Sequence, residues 1–270
     1  MSIKIDFKRV LAFFGDLHVG SAYGLFPPQW EISAGNTIQQ NTGQAKIWEF
    51  WLKALQTCKE WGVDTVLLLG DLIQGIHRKG FGAGNVLVEI DQQKDCCTSV
   101  LEPLCEGRKV YGVSGTEYHD AKELRADKDI IESLEGTYCG YIINGEIEGT
   151  NRMFNLAHGS SQAMIYRETV AAREVLFFRE AEALGKLDHY DLIARGHNHI
   201  YRHLDLPKCH YVLNPCWQAI RPDPYTLKNY AKMLPDIGFV IVAIDKGDRQ
   251  HVIHWLMPEP VRISDYVRII

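Results

Sequence analysis

Four short apolar runs in this chain each stop beside a glycine at an acid or a histidine, and that pattern restricts the fold more than any other feature. Val10-Leu11-Ala12-Phe13-Phe14 stops at Gly15-Asp16-Leu17-His18, and Val63 to Leu69 stops at Gly70-Asp71. Met153 to Leu156 leads into Ala157-His158-Gly159, and Asp191 to Ala194 leads into Gly196-His197-Asn198-His199. Continuous apolar runs of this length read as strands buried on both faces. Longer segments of helical period alternate with them. Thr37 to Trp61 carries Ile47, Trp48, Trp51, Leu52 and Leu55 on one stripe and ends at Gly62, a residue suited to a helix terminus. Helices are also expected over Asp91–Glu106, Ala121–Leu134 and Ser161–Leu184, and strands at Lys109–Val113, around Tyr138–Ile143, Tyr211–Leu213, Phe239–Ile244 and Val252–Leu256. The alternation predicts an α/β core over residues 1–270 as one domain, with more antiparallel pairing in the last third.

Composition narrows the class. With 46% hydrophobic and 23% charged residues in 270, the chain is neither disordered, collagen-like nor a disulfide scaffold. A net charge of -5 argues against a broad basic nucleic-acid face, while leaving room for a local basic patch. No run reaches 18 apolar residues, and the charged first nine residues contain no apolar signal core, so a cytoplasmic location is expected and no membrane partner. Seven cysteines without a C-x-x-C pair read as reduced thiols, not as a zinc knuckle.

The chemistry resides at the strand ends. Sites in α/β folds gather beyond the carboxyl ends of strands. Carboxylates and imidazoles together suit divalent ions such as Mn, Fe, Zn or Mg. Residues one apart in an extended chain point the same way, so Asp16 with His18, and His197 with His199, are expected to face one pocket. Singly, Asp71 reads as a turn or cap residue and His158 as a partly buried histidine; it is the ordered set that is specific.

That ordered set resembles the calcineurin-like metallophosphoesterases from the first strand through Pro215. Asp16 and His18 match the family's D-x-H, Gly70-Asp71 its G-D, His158 its isolated late histidine, and Gly196 to His199 its G-H-x-H. The resemblance implies an α-β-β-α sandwich of two sheets with helices outside, and two divalent ions, manganese expected and iron, zinc or magnesium as alternatives. One ion would be held by Asp16, His18, Asp71 and His199. The other would be held by Asp71, His158, His197 and a ligand from the third motif. It further implies hydrolysis of a phosphate ester by a hydroxide bridging the metals.

The third motif departs from the family's G-N-H-D or G-N-H-E. Here the segment is Gly115-Thr116-Glu117-Tyr118-His119-Asp120, longer by two residues and without the Asn, a form similar to that of phage- and prophage-associated members. Glu117, Thr116, a backbone oxygen or water could replace the missing ligand. His119-Asp120 matches the catalytic pair: His119 would serve the departing oxygen, and Asp120 would fix its tautomer and keep it charged. Glycine- and proline-rich stretches at 26–43 and 75–84, with 217–235, are expected to rim the site. Arg78, Arg221 and Trp217, joined by Lys79, Lys228, Lys232, Tyr225 and Tyr230, are the candidate substrate contacts, and His77 lies close by. Such a rim suits a phosphodiester or nucleic acid. The alternatives are a phosphomonoesterase and a catalytically impaired binding protein.

Overall fold

A computed structural model describes residues 6–32, 35–76, 82–117, 119, 125–159, 167–222, 228, 234–262 and 265. Among these, the strands are β1 (Phe7–Phe14), β2 (Gln29–Ile32), β3 (Asn36–Gln39), β4 (Thr65–Leu68), β5 (Lys109–Gly112), β6 (Thr137–Tyr138), β7 (Ile142–Ile147), β8 (Arg152–Ala157), β9 (Leu192–Arg195), β10 (Arg202–Leu206), β11 (Cys209–Leu213), β12 (Gly238–Asp245) and β13 (Gln250–Leu256). The helices are α1 (Thr42–Glu60), α2 (Ile90–Cys105), α3 (Ala126–Ser133) and α4 (Arg167–Ala183). One sheet has six strands in the order β13-β12-β1-β4-β5-β6, and a second has five in the order β10-β11-β9-β8-β7.

Side chains of a strand alternate between faces, and β1 shows what each face is for. Val10, Ala12 and Phe14 lie in a core shared with α1, α2 and α3, whereas Leu11 and Phe13 lie in a second core with Leu67, Leu156, Leu192 and Val212 between the sheets. A third cluster joins Ile193, Tyr211 and Leu213 on the far face of the second sheet to Ala171 and Val175 of α4. The layers therefore run helices, sheet, sheet, helix, as the resemblance implied. β1, β4 and β5 pair in parallel, as do β8, β9 and β11, while β12 and β13 add antiparallel edges, so the expected shift late in the chain is present. Among the described residues no helix is long and apolar enough to cross a membrane.

Three expectations change. Thr37 to Gln39 are not the start of α1 but part of the β2–β3 hairpin. The helix begins only after Asn41, whose side chain accepts from the Gln44 amide while the Gln44 side chain accepts from the Asn41 amide, a reciprocal cap that sets the start. The polar strand β10 went unread because Arg202-His203-Leu204-Asp205-Leu206 is an edge whose apolar positions alternate only weakly. α3 begins at Ala126, later than expected, and residues 121–124 lie outside the described set.

Phe14 is the hinge between the core and the strand end that follows it. Its fully buried ring stacks 5.2 Å from Phe239 and 6.0 Å from Trp217 and meets the edge of Trp51 at 5.5 Å. Phe14→Ala is expected to cost about 3–5 kcal/mol, read from the shift in denaturant midpoint at unchanged slope.

Candidate metal centre

The loops that leave β1 and β4 stay in step past the ends of their strands. Asp16 N–H donates to Gly70 O at 3.0 Å, His18 N–H to Asp71 O at 3.2 Å and Val19 N–H to Leu72 O at 3.1 Å. The loop after β5 is pressed against them. A Cβ on Gly70, which has φ +79°, would lie 2.4 Å from Gly115 N, and one on Gly115 would lie 2.0 Å from Asp71 Oδ1. Only glycine permits that approach, so three strand ends share one small volume.

Asp16, His18, Asp71, His197 and His199 all have positive φ, between 47° and 71°. The expected alternation along an extended chain is thus not what aims D-x-H and H-x-H. A left-handed turn at each donor does so, at about 1–2 kcal/mol per residue.

The donors converge. Asp16, Asp71, His18 and His158 are buried, with His199 and His197 at the mouth. Three overlapping sets bring one donor atom each to within 4.8 Å of one another: Asp16 with His18 and His199; His18 with Asp71 and His119; Asp71 with His158 and His197. His199 Nε2 stands 3.1 Å from Asp16 Oδ1 and 3.1 Å from His18 Nε2, and His158 Nε2 stands 3.0 Å from Asp71 Oδ2.

These residues fit divalent ions. Asp16 Oδ1, His18 Nδ1 and His158 Nε2 are buried atoms without an aligned hydrogen-bond partner, although carboxylate and imidazole lie close together, and two imidazole nitrogens face each other across 3.1 Å. Burial, then the neighbouring imidazoles His119 and His199, hold His18 below its ordinary pKa, and burial with His158 does the same to His197. Both are therefore neutral and able to offer a lone pair. Burial opposes charge on both members of the His158–Asp71 pair. Asp71 and Asp16 nevertheless lift His158 to about 10, and His158, His119 and His18 hold Asp71 well below the usual carboxylate range. Outer contacts orient the ligands: His158 Nδ1 is 2.6 Å from Leu69 O, and His197 N–H donates to Asp16 Oδ2 at 2.9 Å.

The third motif is rearranged. Glu117 is exposed and belongs to none of the three donor sets. Thr116 occupies the space beside Asp71 instead. Its N–H donates to Asp71 Oδ1 at 2.6 Å, and its hydroxyl lies 3.0 and 3.2 Å from the two carboxylate oxygens. His119 packs its ring 4.5 Å from that of His18 and sets Nδ1 at 2.5 Å from Gln74 O. Burial, the largest influence, brings its pKa below the ordinary value despite Asp71 and the Gln74 carbonyl. Asp120, Arg78, Lys79, Tyr225, Tyr230, Lys232 and His77 lie outside the described residues. Trp217 is not a rim ring. Its indole is fully buried against Phe14, Phe50 and Trp51, and the Trp217 backbone N–H donates to Asp16 O at 2.9 Å, so the residue supports the first motif from behind. Arg221 is half-buried and Lys228 exposed.

Two supports went unread in the sequence. Asp127, in the first turn of α3 and fully buried, accepts from Asp71 N–H at 3.1 Å, Leu72 N–H at 3.0 Å and Gly115 N–H at 2.7 Å. Gln218 donates to Gln74 Oε1 at 2.8 Å and to Ser21 Oγ at 3.2 Å, bracing the residue whose carbonyl holds His119.

Two substitutions probe these supports. Thr116→Val keeps the branched shape and removes the hydroxyl beside Asp71, and is expected to weaken metal binding by about 10–100-fold in calorimetric titration, with little change in unfolding midpoint. Asp127→Ala orphans three buried N–H groups at about 1–3 kcal/mol each, so its unfolding midpoint is expected to fall much further than that of Thr116→Val.

No family model matches the chain, and no curated protein matches it. Solved structures do align along most of it. An archaeal phosphodiesterase is 12% identical, with 91% of this chain and 99% of that chain covered and a TM-score of 0.46. Vps29 from Entamoeba histolytica, complexed with zinc, is 14% identical over 92% of this chain and 99% of its own, with a TM-score of 0.43. A predicted phosphoesterase from Streptococcus pneumoniae is 12% identical over 95% and 94%, with a TM-score of 0.41. At such identities and scores these are likenesses of chain path, and neither chemistry nor partners transfer with them.

Proposed function

We propose that this chain is a single-domain, metal-dependent phosphoesterase with a two-ion centre, acting on phosphodiesters in preference to monoesters. The observation that carries the reading is the sharing of Asp71 between donor sets: it joins His18 and His119 on one side and His158 and His197 on the other. A carboxylate so placed can bridge two ions. Asp16, His18, Asp71 and His199 would hold one ion, and Asp71, His158 and His197 the other, with Thr116 fixing the bridging carboxylate from outside. Manganese is the ion proposed, since mixed carboxylate and imidazole donors suit it. When bound, two such ions supply an activated water and neutralise charge on the phosphate, the main needs of an otherwise extremely slow hydrolysis.

The protein's own groups supply the rest. His119 is buried, neutral at rest and held at Nδ1 by Gln74 O, so its ring orientation is set before substrate arrives. As an anionic phosphate settles beside it, the ring takes a proton from solvent water and passes that proton to the departing ester oxygen, returning to its neutral form. Asp120, following His119 in the chain, is proposed to assist, and Arg78 and Arg221 to meet the phosphate or the rest of the substrate.

With added manganese, the protein is expected to turn over an aryl phosphodiester faster than the matching monoester. His119→Ala should lower turnover by about 10²-fold or more while metal content stays near that of the native chain. Its proximity to His18 and Asp71 makes metal analysis decisive: loss of metal in parallel with activity makes His119 a ligand and overturns its proposed role. Asp71→Asn should lose metal and activity together. A protein that takes up no metal and hydrolyses neither ester is a binding protein, contrary to the reading.

A further inference from the structure

α4 has two apolar faces, and the sheet accounts for only one. Val170, Ala171 and Val175 are buried, the latter two in the cluster against Tyr190, Ile193 and Tyr211, and Glu174 joins Arg195 and Tyr211 on the same side. Away from that side Leu176 is 67% and Phe177 60% exposed, and Leu184, in the turn just past the helix end, is 61% exposed. Of the ten large hydrophobic side chains that are exposed among the described residues, four fall between Leu176 and Leu187. An apolar group of this kind, two residues on α4 and two in the segment that follows it, marks a contact surface, since scattered exposed leucines would need no explanation.

The charges on that face indicate which partner fits. Arg173 and Glu180 are exposed and flank the Leu176–Phe177 pair at equal spacing, each three residues from its nearer member. Their order is self-complementary for a second copy of the helix running in the opposite direction. A two-fold axis between residues 176 and 177 sets Arg173 level with Glu180 of the second copy and Leu176 level with Phe177. Parallel pairing instead sets Arg173 against Arg173 and Glu180 against Glu180. Isologous two-fold contacts of this kind are the commonest basis of homodimers.

We propose that the outer face of α4 forms a homodimer interface in which two copies of the helix cross antiparallel about Leu176–Phe177. The surface lies on the outer face of the second sheet, and none of its residues belongs to the metal centre, so association and catalysis can be measured separately.

The test is sedimentation equilibrium of the full chain over a range of concentrations, with circular dichroism melting and metal content as checks that each variant is folded. The native chain is expected to dimerise, and Phe177→Glu to weaken the dimer by about thirtyfold or more, as loss of a central aromatic does. Arg173→Glu and Glu180→Arg should each weaken association, and the two together should restore it. Under mild oxidation Phe177→Cys, next to the axis, should form a covalent dimer, whereas Glu180→Cys, displaced from its own copy along the helix, should not. A native chain that stays monomeric throughout overturns the proposal, and a double charge reversal that fails to restore association overturns the antiparallel arrangement.

Discussion

The architecture depends on crowding two carboxylates and five imidazoles into a space largely closed to water. Two unit charges 4 Å apart interact by about 4 kcal/mol at an effective dielectric near 20, so like charges cannot be gathered there without compensation. The protein meets part of that cost by keeping His18, His119 and His197 neutral through burial, and part by pairing His158 with Asp71. What remains, including the unaligned Asp16 Oδ1 and the facing nitrogens of His18 and His199, is the kind of residual demand that bound cations satisfy.

The backbone is shaped to the same end. Five of the nine non-glycine residues with positive φ among those described are candidate ligands, so the strained conformations gather where β1, β4 and β9 deliver their chains. That strain is held in place by contacts around it. The Asp16 and Asp71 loops hydrogen-bond to one another, Asp127 gathers three amides from behind, and the Phe14–Trp217–Phe239 stack anchors the end of β1. Sheet, helix and site are in this sense one construction: α3 matters to the site through a single carboxylate.

Much of this was legible because the donors are of a kind that metals require and sit where apolar strand patterns end. The α/β alternation followed from the length and apolar pattern of the runs, whereas the two-sheet arrangement was implied only by the family resemblance. Other features had no local signature. Asp127 looks in sequence like an ordinary first-turn acid, no different from Asp129, and only the packing of α3 under the Asp71 loop turns it inward. Thr116 and Glu117 were equally eligible to replace the absent asparagine until the loop's path placed Thr116 beside Asp71 and left Glu117 exposed. Trp217 reads as a rim aromatic among charges, yet its ring completes the core while its amide serves the site. The β2–β3 hairpin was obscured because its polar residues run straight into the helix cap at Asn41.

The central claim is that Asp71 is shared between two metals. Electron paramagnetic resonance of the manganese-loaded protein tests it most directly, because two manganese ions bridged by one carboxylate are exchange-coupled. The account predicts two equivalents bound and the spectrum of a coupled pair. One equivalent, or two with the spectrum of magnetically isolated ions, would contradict it.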